Sequence, residues 1–160
     1  MSLADLQSGM HKKFSEILLK NYCLDLPKNL EDFEFFENFL AQNNAKIAGI
    51  FIEPIVQCAG GMKFHTPQIL EKILELSRKY NILTIVDECA TGFYRTGKKF
   101  AFKHSKYHPD ILCVGKALTG GVVGLSATLT SNKIFEKFLP SRCRVFLLLR
   151  LLLEALLYCF

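Results

Sequence analysis

Nearly continuous apolar runs of four to seven residues recur along the middle of the chain. Such runs are typical of strands that are buried on both faces of a parallel sheet. The pattern therefore predicts strands over residues 47–53 (IAGIFIE), 82–87 (ILTIVD), 111–114 (ILCV) and 125–130 (LSATLT).

Between the first two predicted strands the apolar positions change to helical spacing. Thr66 is a suitable N-cap, Pro67 suits the first helical position, and Asn81 suits the residue beyond the end. Glu75 and Lys79 are spaced to pair on the solvent side. The apolar side chains that we expect to face the sheet are Ile69, Leu70, Ile73, Leu74 and Leu76.

A second helix is predicted over residues 31–44 (EDFEFFENFLAQNN). Phe33, Phe36 and Leu40 recur at helical spacing, and the Asn-Asn pair at the end favours a stop. Strand, helix and strand then follow one another along the chain. This order predicts an α/β fold with a parallel or mixed sheet and flanking helices.

Two ionisable residues stand at the ends of predicted strands. Asp87 closes the run ILTIV, and Lys116 follows ILCV after a single glycine. Open α/β sheets bind ligands in the crevice beyond the carboxyl ends of their strands. Each residue taken singly is ordinary for a strand end or a loop. Together, with GFYRTG between them and TGG after the lysine, they indicate an active site.

An acid and an amine in such a crevice suit pyridoxal phosphate. A lysine amine with a free pKa of ~10.4 becomes nucleophilic in an apolar pocket and can condense with an aldehyde. The cofactor ring withdraws electrons when its pyridine nitrogen carries a proton, which a carboxylate can hold in place. Lys116 and Asp87 are the candidates for these two roles.

The motifs around these residues resemble those of the class III pyridoxal-phosphate-dependent aminotransferases. Apolar residues lead into Asp-Glu, the turn GFYRTG follows, and Asp110 opens DILCVGKALTGG. The segment EPIVQCAGGM, residues 53–62, matches a second part of the family pattern. The resemblance implies part of the large domain of a fold-type-I enzyme, a homodimer in the intact protein, and pyridoxal 5'-phosphate as cofactor.

The resemblance also implies roles for individual residues. Lys116 would bind the cofactor and move a proton between the substrate α-carbon and the cofactor, while Asp87 would hold the pyridine nitrogen. Arg95, in the GFYRTG turn, would bind the substrate carboxylate, although a solvated turn arginine is an equally good interpretation. Glu53 is expected to support the site from a strand end and not to react.

Within the class, three details resemble the biotin-pathway members. Ala90 stands where relatives that act on ornithine or 4-aminobutyrate carry Gln, LSATLT follows the TGG segment, and EPIVQ runs into AGGM. This resemblance implies S-adenosylmethionine as amino donor and 8-amino-7-oxononanoate as acceptor. Two alternatives stay open: another class III ω-amino acid aminotransferase, or a non-catalytic remnant.

Three residues depart from the family pattern. Cys89 stands at an Ile or Val position, which a cysteine fills as a small hydrophobe. Cys58 and Tyr94 replace glycines, and a glycine is often needed for positive φ or for close approach of the backbone to a ligand. The pocket is therefore expected to differ locally from that of the relatives.

Composition and charge exclude several other functions. A net charge of +5, with its lysines spread along the 160 residues, does not form a nucleic-acid-binding stripe. The six cysteines contain no C-x-x-C pair, and the N-terminus has no apolar signal segment. His104 and His108 have no companion ligands and are interpreted as surface histidines. We expect a cytoplasmic protein with reduced thiols and no metal site.

The likeness to the family covers residues 1–138, and an apolar tail unlike the family occupies residues 139–160. A buried helix with Arg150 paired to Glu154 is one interpretation of the tail, and a membrane anchor is the weaker one because a span needs ~20 apolar residues. Out-of-frame translation explains its sudden leucine enrichment best. On this interpretation the chain is an incomplete aminotransferase domain, which we expect to be inactive by itself.

Overall fold

The computed structural model describes residue 3, residues 9–18 and residues 20–138, with the side chains of residues 9–11 and 138 left out. The tail at 139–160 lies outside the described residues, so the interpretations of it remain predictions. The chain divides into two compact units, Met1–Phe36 and Glu37–Phe160.

The helices and strands follow the predicted order. In chain order they are α1 (Leu30–Asn43), β1 (Gly49–Ile52), β2 (Val56–Gln57), β3 (Lys63–Phe64), α2 (Pro67–Lys79), β4 (Leu83–Asp87), β5 (Ile111–Val114), β6 (Ala127–Thr130) and α3 (Asn132–Phe135). Short 3₁₀ turns at Gly9–Phe14, Ala101–His104 and Lys116–Leu118 lie among them. Within the described residues, no helix has the length and apolar character that crossing a membrane requires.

The first unit contains the beginning of α1, which polar side chains cap. The backbone N–H of Asp32 donates to Asn29 Oδ1 at 2.8 Å, and the Asp32 carboxylate accepts from the Lys28 N–H at 2.8 Å. These bonds satisfy donors that a helix start leaves without partners. At the other end, Asn43 donates to the Phe39 carbonyl. The helix predicted over 31–44 is thus confirmed to within one residue.

The second unit contains a four-stranded sheet in the order β1, β4, β5, β6. The first two pairings are parallel, and β6 runs antiparallel to β5. All four predicted strands exist, and the expected mixed sheet is confirmed. A separate two-stranded sheet, β2 with β3, was not predicted, because two-residue strands are too short to show a periodicity.

The two faces of the main sheet differ in burial. Ile52, Val86 and Val114 lie on one face and are buried. Phe51 and Leu83, on the other face, are 38% and 36% exposed. The prediction of strands buried on both faces is therefore wrong for the part of the chain that the structure describes. Helix α2 packs along β4.

Helix α2 forms as its capping pattern predicts. Thr66 Oγ1 accepts from the Ile69 N–H at 3.4 Å, Pro67 is the first helical residue, and Asn81 has the positive φ of a helix stop. Its buried residues include four of the five predicted core positions, namely Leu70, Ile73, Leu74 and Leu76, while Ile69 is half-buried.

The predicted ion pair between Glu75 and Lys79 is wrong. Glu75 accepts instead from Lys72, at 3.3 Å, and Lys79 pairs with Glu37 of α1. Tyr80 also donates to the same Glu37 oxygen, at 3.3 Å. Residue spacing within one helix cannot predict a partner on another helix. Here the pair of Lys79 with Glu37 replaces the expected pair with Glu75.

Candidate active site

The carboxyl ends of β4 and β5 lie side by side because the two strands are parallel neighbours. Their register sets Asp87 opposite Cys113, and Lys116 follows Cys113 by three residues. At a rise of about 3.3 Å per residue, this separation corresponds to roughly 10 Å of chain. The structure thus brings the two predicted site residues, one acidic and one basic, to the same edge of the sheet.

Small residues form the surface between them. A Cβ added to Gly115 would lie 3.2 Å from Cys89 Sγ and 3.7 Å from Ser126 Cβ. The turn after β4 and the residue before β6 therefore both approach the backbone at Gly115. A side chain at Gly115 would have to displace Cys89, whose Sγ is the nearest atom.

Asp87 has a fixed carboxylate. The backbone N–H of Cys89 donates to Asp87 Oδ1 at 2.8 Å, whereas Oδ2 accepts no hydrogen bond from the described residues. Burial, followed by the Asp87 charge, raises the pKa of the Cys113 thiol above its usual value, and a hydrogen bond with Thr128 opposes this shift. The negative charge of Asp87 thus acts on Cys113 in the neighbouring strand. Its Oδ2 remains available to a ligand.

Lys116 begins a 3₁₀ turn with its side chain exposed. Its φ of 43° is in the left-handed region, which a lysine rarely adopts and which typically costs about 1–2 kcal/mol. Strained residues of this kind cluster at functional sites. The preceding residue, Gly115, is buried and extended, so the chain turns abruptly at the lysine itself.

Glu88 was missed as an important residue by sequence reasoning. Its side chain is 0% exposed and accepts from Thr91 Oγ1 at 2.9 Å, from the Ala101 N–H at 2.8 Å and from the Phe102 N–H at 2.7 Å. The carboxylate therefore caps the 3₁₀ turn Ala101–His104 from a distant part of the chain. The signal available in the sequence was a second acid directly after a buried strand.

Arg95 lies in the loop that Glu88 closes. The side chain is exposed and makes no hydrogen bond or ion pair with the residues that the structure describes. The loop around it is ordered, since His104 Nε2 lies 3.0 Å from the Thr96 carbonyl and the Gly97 N–H donates to the Tyr94 carbonyl. The structure thus puts Arg95 after β4 but gives it no contact with Asp87 or Lys116.

The two glycine replacements have different consequences. Tyr94 has φ 68° and follows Phe93, which has φ 57°, so this turn requires the conformation that glycine adopts without strain. Cys58 is not among the described residues with positive φ, and its N–H donates to Glu53 Oε2 at 2.9 Å. Glu53 thus supports the turn at Cys58, and its support of the site stays a prediction. The backbone strain falls on Tyr94.

The histidines have structural contacts. His104 bonds to Thr96, and the ring of His108 packs against that of Phe102 at 5.4 Å between centroids. His65 is buried, with Nε2 3.0 Å from the Glu53 carbonyl. Throughout the described part of the chain, no group of three or more His, Cys, Asp or Glu side chains is arranged to hold a metal ion.

Comparison with known proteins agrees with the motifs. The family described as aminotransferase class-III matches residues 1–146. The adenosylmethionine-8-amino-7-oxononanoate aminotransferase of Buchnera aphidicola subsp. Schizaphis graminum is 43% identical over 154 residues, which cover 92% of this chain and 36% of that protein. The chain thus spans about a third of the length of this relative.

Solved structures share the fold. The enzyme of the same name from Methanocaldococcus jannaschii superposes with a TM-score of 0.74 at 31% identity, covering 82% of this chain and 31% of that one. The ornithine aminotransferase of Toxoplasma gondii ME49 gives a TM-score of 0.61 at 38% identity, covering 71% and 26%. The mixed sheet with flanking helices matches these fold-type-I enzymes, as expected. The chain belongs to the class III aminotransferase family.

Proposed function

We propose that this chain contributes the cofactor-binding core of a pyridoxal-phosphate-dependent aminotransferase. The proposed reaction transfers the amino group of S-adenosylmethionine to 8-amino-7-oxononanoate, a step of biotin synthesis. The observation that carries the proposal is the pairing of β4 with β5, which sets Asp87 and Lys116 at one sheet edge. The name of the 43% identical Buchnera relative supports the choice of substrates.

The residues at this edge fit the cofactor. Lys116 supplies an amine for its aldehyde, and Asp87 Oδ2 supplies a free acceptor for a protonated ring nitrogen. Between them, Gly115 leaves a low surface flanked by Cys89 and Ser126, which suits a flat ring. An amine, a carboxylate and a shallow surface are groups that pyridoxal phosphate needs from this side of a site.

Asp87 would hold the proton on the pyridine nitrogen. The cofactor, when bound, supplies an electron sink for bonds at the substrate α-carbon. A charge-assisted hydrogen bond from the ring N–H to Asp87 Oδ2 would maintain that property. The Cys89 N–H, bonded to Oδ1, keeps the carboxylate from rotating away. Asp87 would therefore act as a fixed negative charge beside the ring nitrogen.

Lys116 would bind the cofactor aldehyde through Nζ and later move a proton. Once neutral, its amine is both a nucleophile and a base of suitable strength. The residue lies at the turn beyond β5 with its side chain exposed, so a ligand can reach Nζ. From there the lysine would take the proton from the substrate α-carbon.

Arg95 would bind the carboxylate of the substrate. A guanidinium forms two parallel hydrogen bonds with a carboxylate, and both proposed substrates carry one. The side chain is exposed, and none of the described residues neutralises it. The hydrogen bonds of Glu88 to Thr91, Ala101 and Phe102 close the loop in which Arg95 lies, so the loop has a defined shape.

We further propose a homodimer in the cytoplasm, as is usual for the family. Cys58 and Cys113 are free thiols in the structure, which suits a reducing compartment. Equilibrium sedimentation of the purified protein tests the dimer.

A second candidate is an aminotransferase of the same class with another donor. The ornithine aminotransferase of Toxoplasma gondii is 38% identical over the superposed part, a higher identity than the Methanocaldococcus enzyme has. Donor profiling of the intact enzyme separates the two candidates. Consumption of S-adenosylmethionine but not of ornithine supports the first, and the reverse pattern supports the second.

Covalent trapping tests the site. The purified chain is incubated with equimolar pyridoxal phosphate, reduced with borohydride and mapped by peptide mass spectrometry. We expect the cofactor on the peptide containing Lys116, and its loss in Lys116→Ala. Lys133→Ala, at another exposed lysine, is the matched control and should leave the adduct unchanged. An adduct on a different lysine in the unmodified chain would contradict the assignment.

A further inference from the structure

Ser126 carries a buried hydroxyl that no part of the described chain satisfies. The residue is 7% exposed, and its Oγ has no hydrogen-bond partner. Buried hydroxyls are nearly always bonded, because losing water without gaining a partner is unfavourable. An alanine would fill the same space without that penalty. The hydroxyl is therefore best explained by a partner that binds to the folded chain.

The position of Ser126 indicates which partner. Ser126 precedes β6, whose first residue, Ala127, pairs with Val114 at the end of β5. Its Cβ is 3.7 Å from the point that a Gly115 side chain would occupy. The orphan hydroxyl is thus beside the residue that precedes Lys116.

Two unfavourable features occur together at this point of the fold. Lys116 has a left-handed backbone, and Ser126, across from its neighbour Gly115, has an unsatisfied hydroxyl. Strain and unsatisfied polar groups persist where they serve binding or catalysis. The second described orphan hydroxyl, that of Ser131, lies at the start of α3, where it makes no cap hydrogen bond.

We infer that Ser126 is a further cofactor-binding residue of the site, and that its hydroxyl hydrogen-bonds to the group held by Lys116. The inference rests on the proposed function. Ser126 Oγ is closed to solvent in its present rotamer, so the bond requires rotation about Cα–Cβ to another staggered position. That rotation exchanges an unsatisfied hydroxyl for a bonded one, so binding of the cofactor favours it.

Substitution of Ser126 gives a test with two independent readouts. Ser126→Ala should bind pyridoxal phosphate about threefold to tenfold more weakly than the unmodified chain, the usual effect of one neutral hydrogen bond. The melting temperature of the cofactor-free chain should stay equal or rise, because the substitution removes an unsatisfied hydroxyl. Ser126→Cys, nearly the same size but a weak donor, should bind the cofactor with intermediate affinity.

Ser131→Ala is the matched control, since it removes the other orphan hydroxyl. It should leave cofactor affinity unchanged. The measurements are fluorescence titration with pyridoxal phosphate, thermal unfolding of the cofactor-free chain, and borohydride trapping at Lys116.

The outcomes separate the two proposals. A Ser126→Ala chain that forms the Lys116 adduct with unchanged affinity overturns the Ser126 inference alone. A drop in its cofactor-free melting temperature with unchanged affinity assigns the hydroxyl a structural role and overturns it as well. An unmodified chain that takes no cofactor at Lys116 overturns the proposed function and, with it, the Ser126 inference.

Discussion

Asp87 and Cys113 are opposite residues in the parallel ladder between β4 and β5. Burial and the Asp87 carboxylate together raise the pKa of the Cys113 thiol. The pKa of the Cys113 thiol therefore reports the electrostatic effect of Asp87 without any cofactor.

The Cys113 thiol should make the fold less stable at alkaline pH. Its folded-state pKa is raised, so the unfolded chain releases the thiol proton at a lower pH than the folded chain does. Stability is therefore lost as pH rises above about 9, where an unperturbed thiol ionises. Urea unfolding at several pH values checks this. In Cys113→Ala the alkaline loss should be smaller, and an identical pH dependence would refute the assignment.

Asp87→Asn should weaken cofactor binding. Asparagine keeps an acceptor for the Cys89 N–H but removes the charge, so a charge-assisted bond to the ring nitrogen becomes a neutral one. We expect affinity for pyridoxal phosphate to fall about tenfold to a hundredfold. Asp25→Asn, at an exposed aspartate, is the control and should change nothing. Equal affinities for the two variants would remove Asp87 from the site.

Glu88→Ala should destabilise the fold strongly. The change leaves the Thr91 hydroxyl and the N–H groups of Ala101 and Phe102 without their acceptor in a buried place. At about 1–3 kcal/mol for each such donor, the free energy of unfolding should fall by about 3 kcal/mol or more. The control is Glu75→Ala, which breaks a surface pair and should cost under about 1 kcal/mol. Urea unfolding measures the free energy of unfolding of both variants. A loss in Glu88→Ala as small as the one in Glu75→Ala would show that the Glu88 carboxylate is dispensable.

Tyr94→Gly should stabilise the chain. Tyr94 has φ 68°, which a residue with a Cβ adopts only under strain, and the residue is 68% exposed, so little packing is lost. Relief of the strain, less the greater entropy of glycine in the unfolded chain, leaves about 0.5–1 kcal/mol. Tyr94→Ala keeps the strain and is the matched control. The prediction fails if the glycine variant unfolds no later in urea than the alanine variant.

Local signals in the sequence were sufficient for most elements. Thr66, Pro67 and Asn81 frame α2 because capping depends on residues that are near one another in the chain. The apolar runs gave the strands for the same reason, and Asp87 and Lys116 were recognised as strand-end residues. In each case the interactions that decide the structure span only a few residues.

Contacts between residues far apart in the chain set the ion pairing of α2 and the order of the sheet. Lys79 pairs with Glu37, which is 42 residues away in the chain, and not with its helical neighbour Glu75. Likewise the sheet order, and the antiparallel direction of β6, depend on long-range pairing that periodicity does not encode.

The two consecutive acids at the end of β4, Asp87 and Glu88, show most clearly what local sequence predicts and what depends on distant contacts. The sequence is enough to show that two acids follow an apolar strand and that successive side chains point to opposite faces of a sheet. Which of the two carboxylates is buried depends on how the chain folds after β4. The chain after β4 folds back so that the N–H groups of Ala101 and Phe102 meet Glu88, which makes its carboxylate an internal acceptor. Asp87 was left on the more open face, where a ligand can reach it.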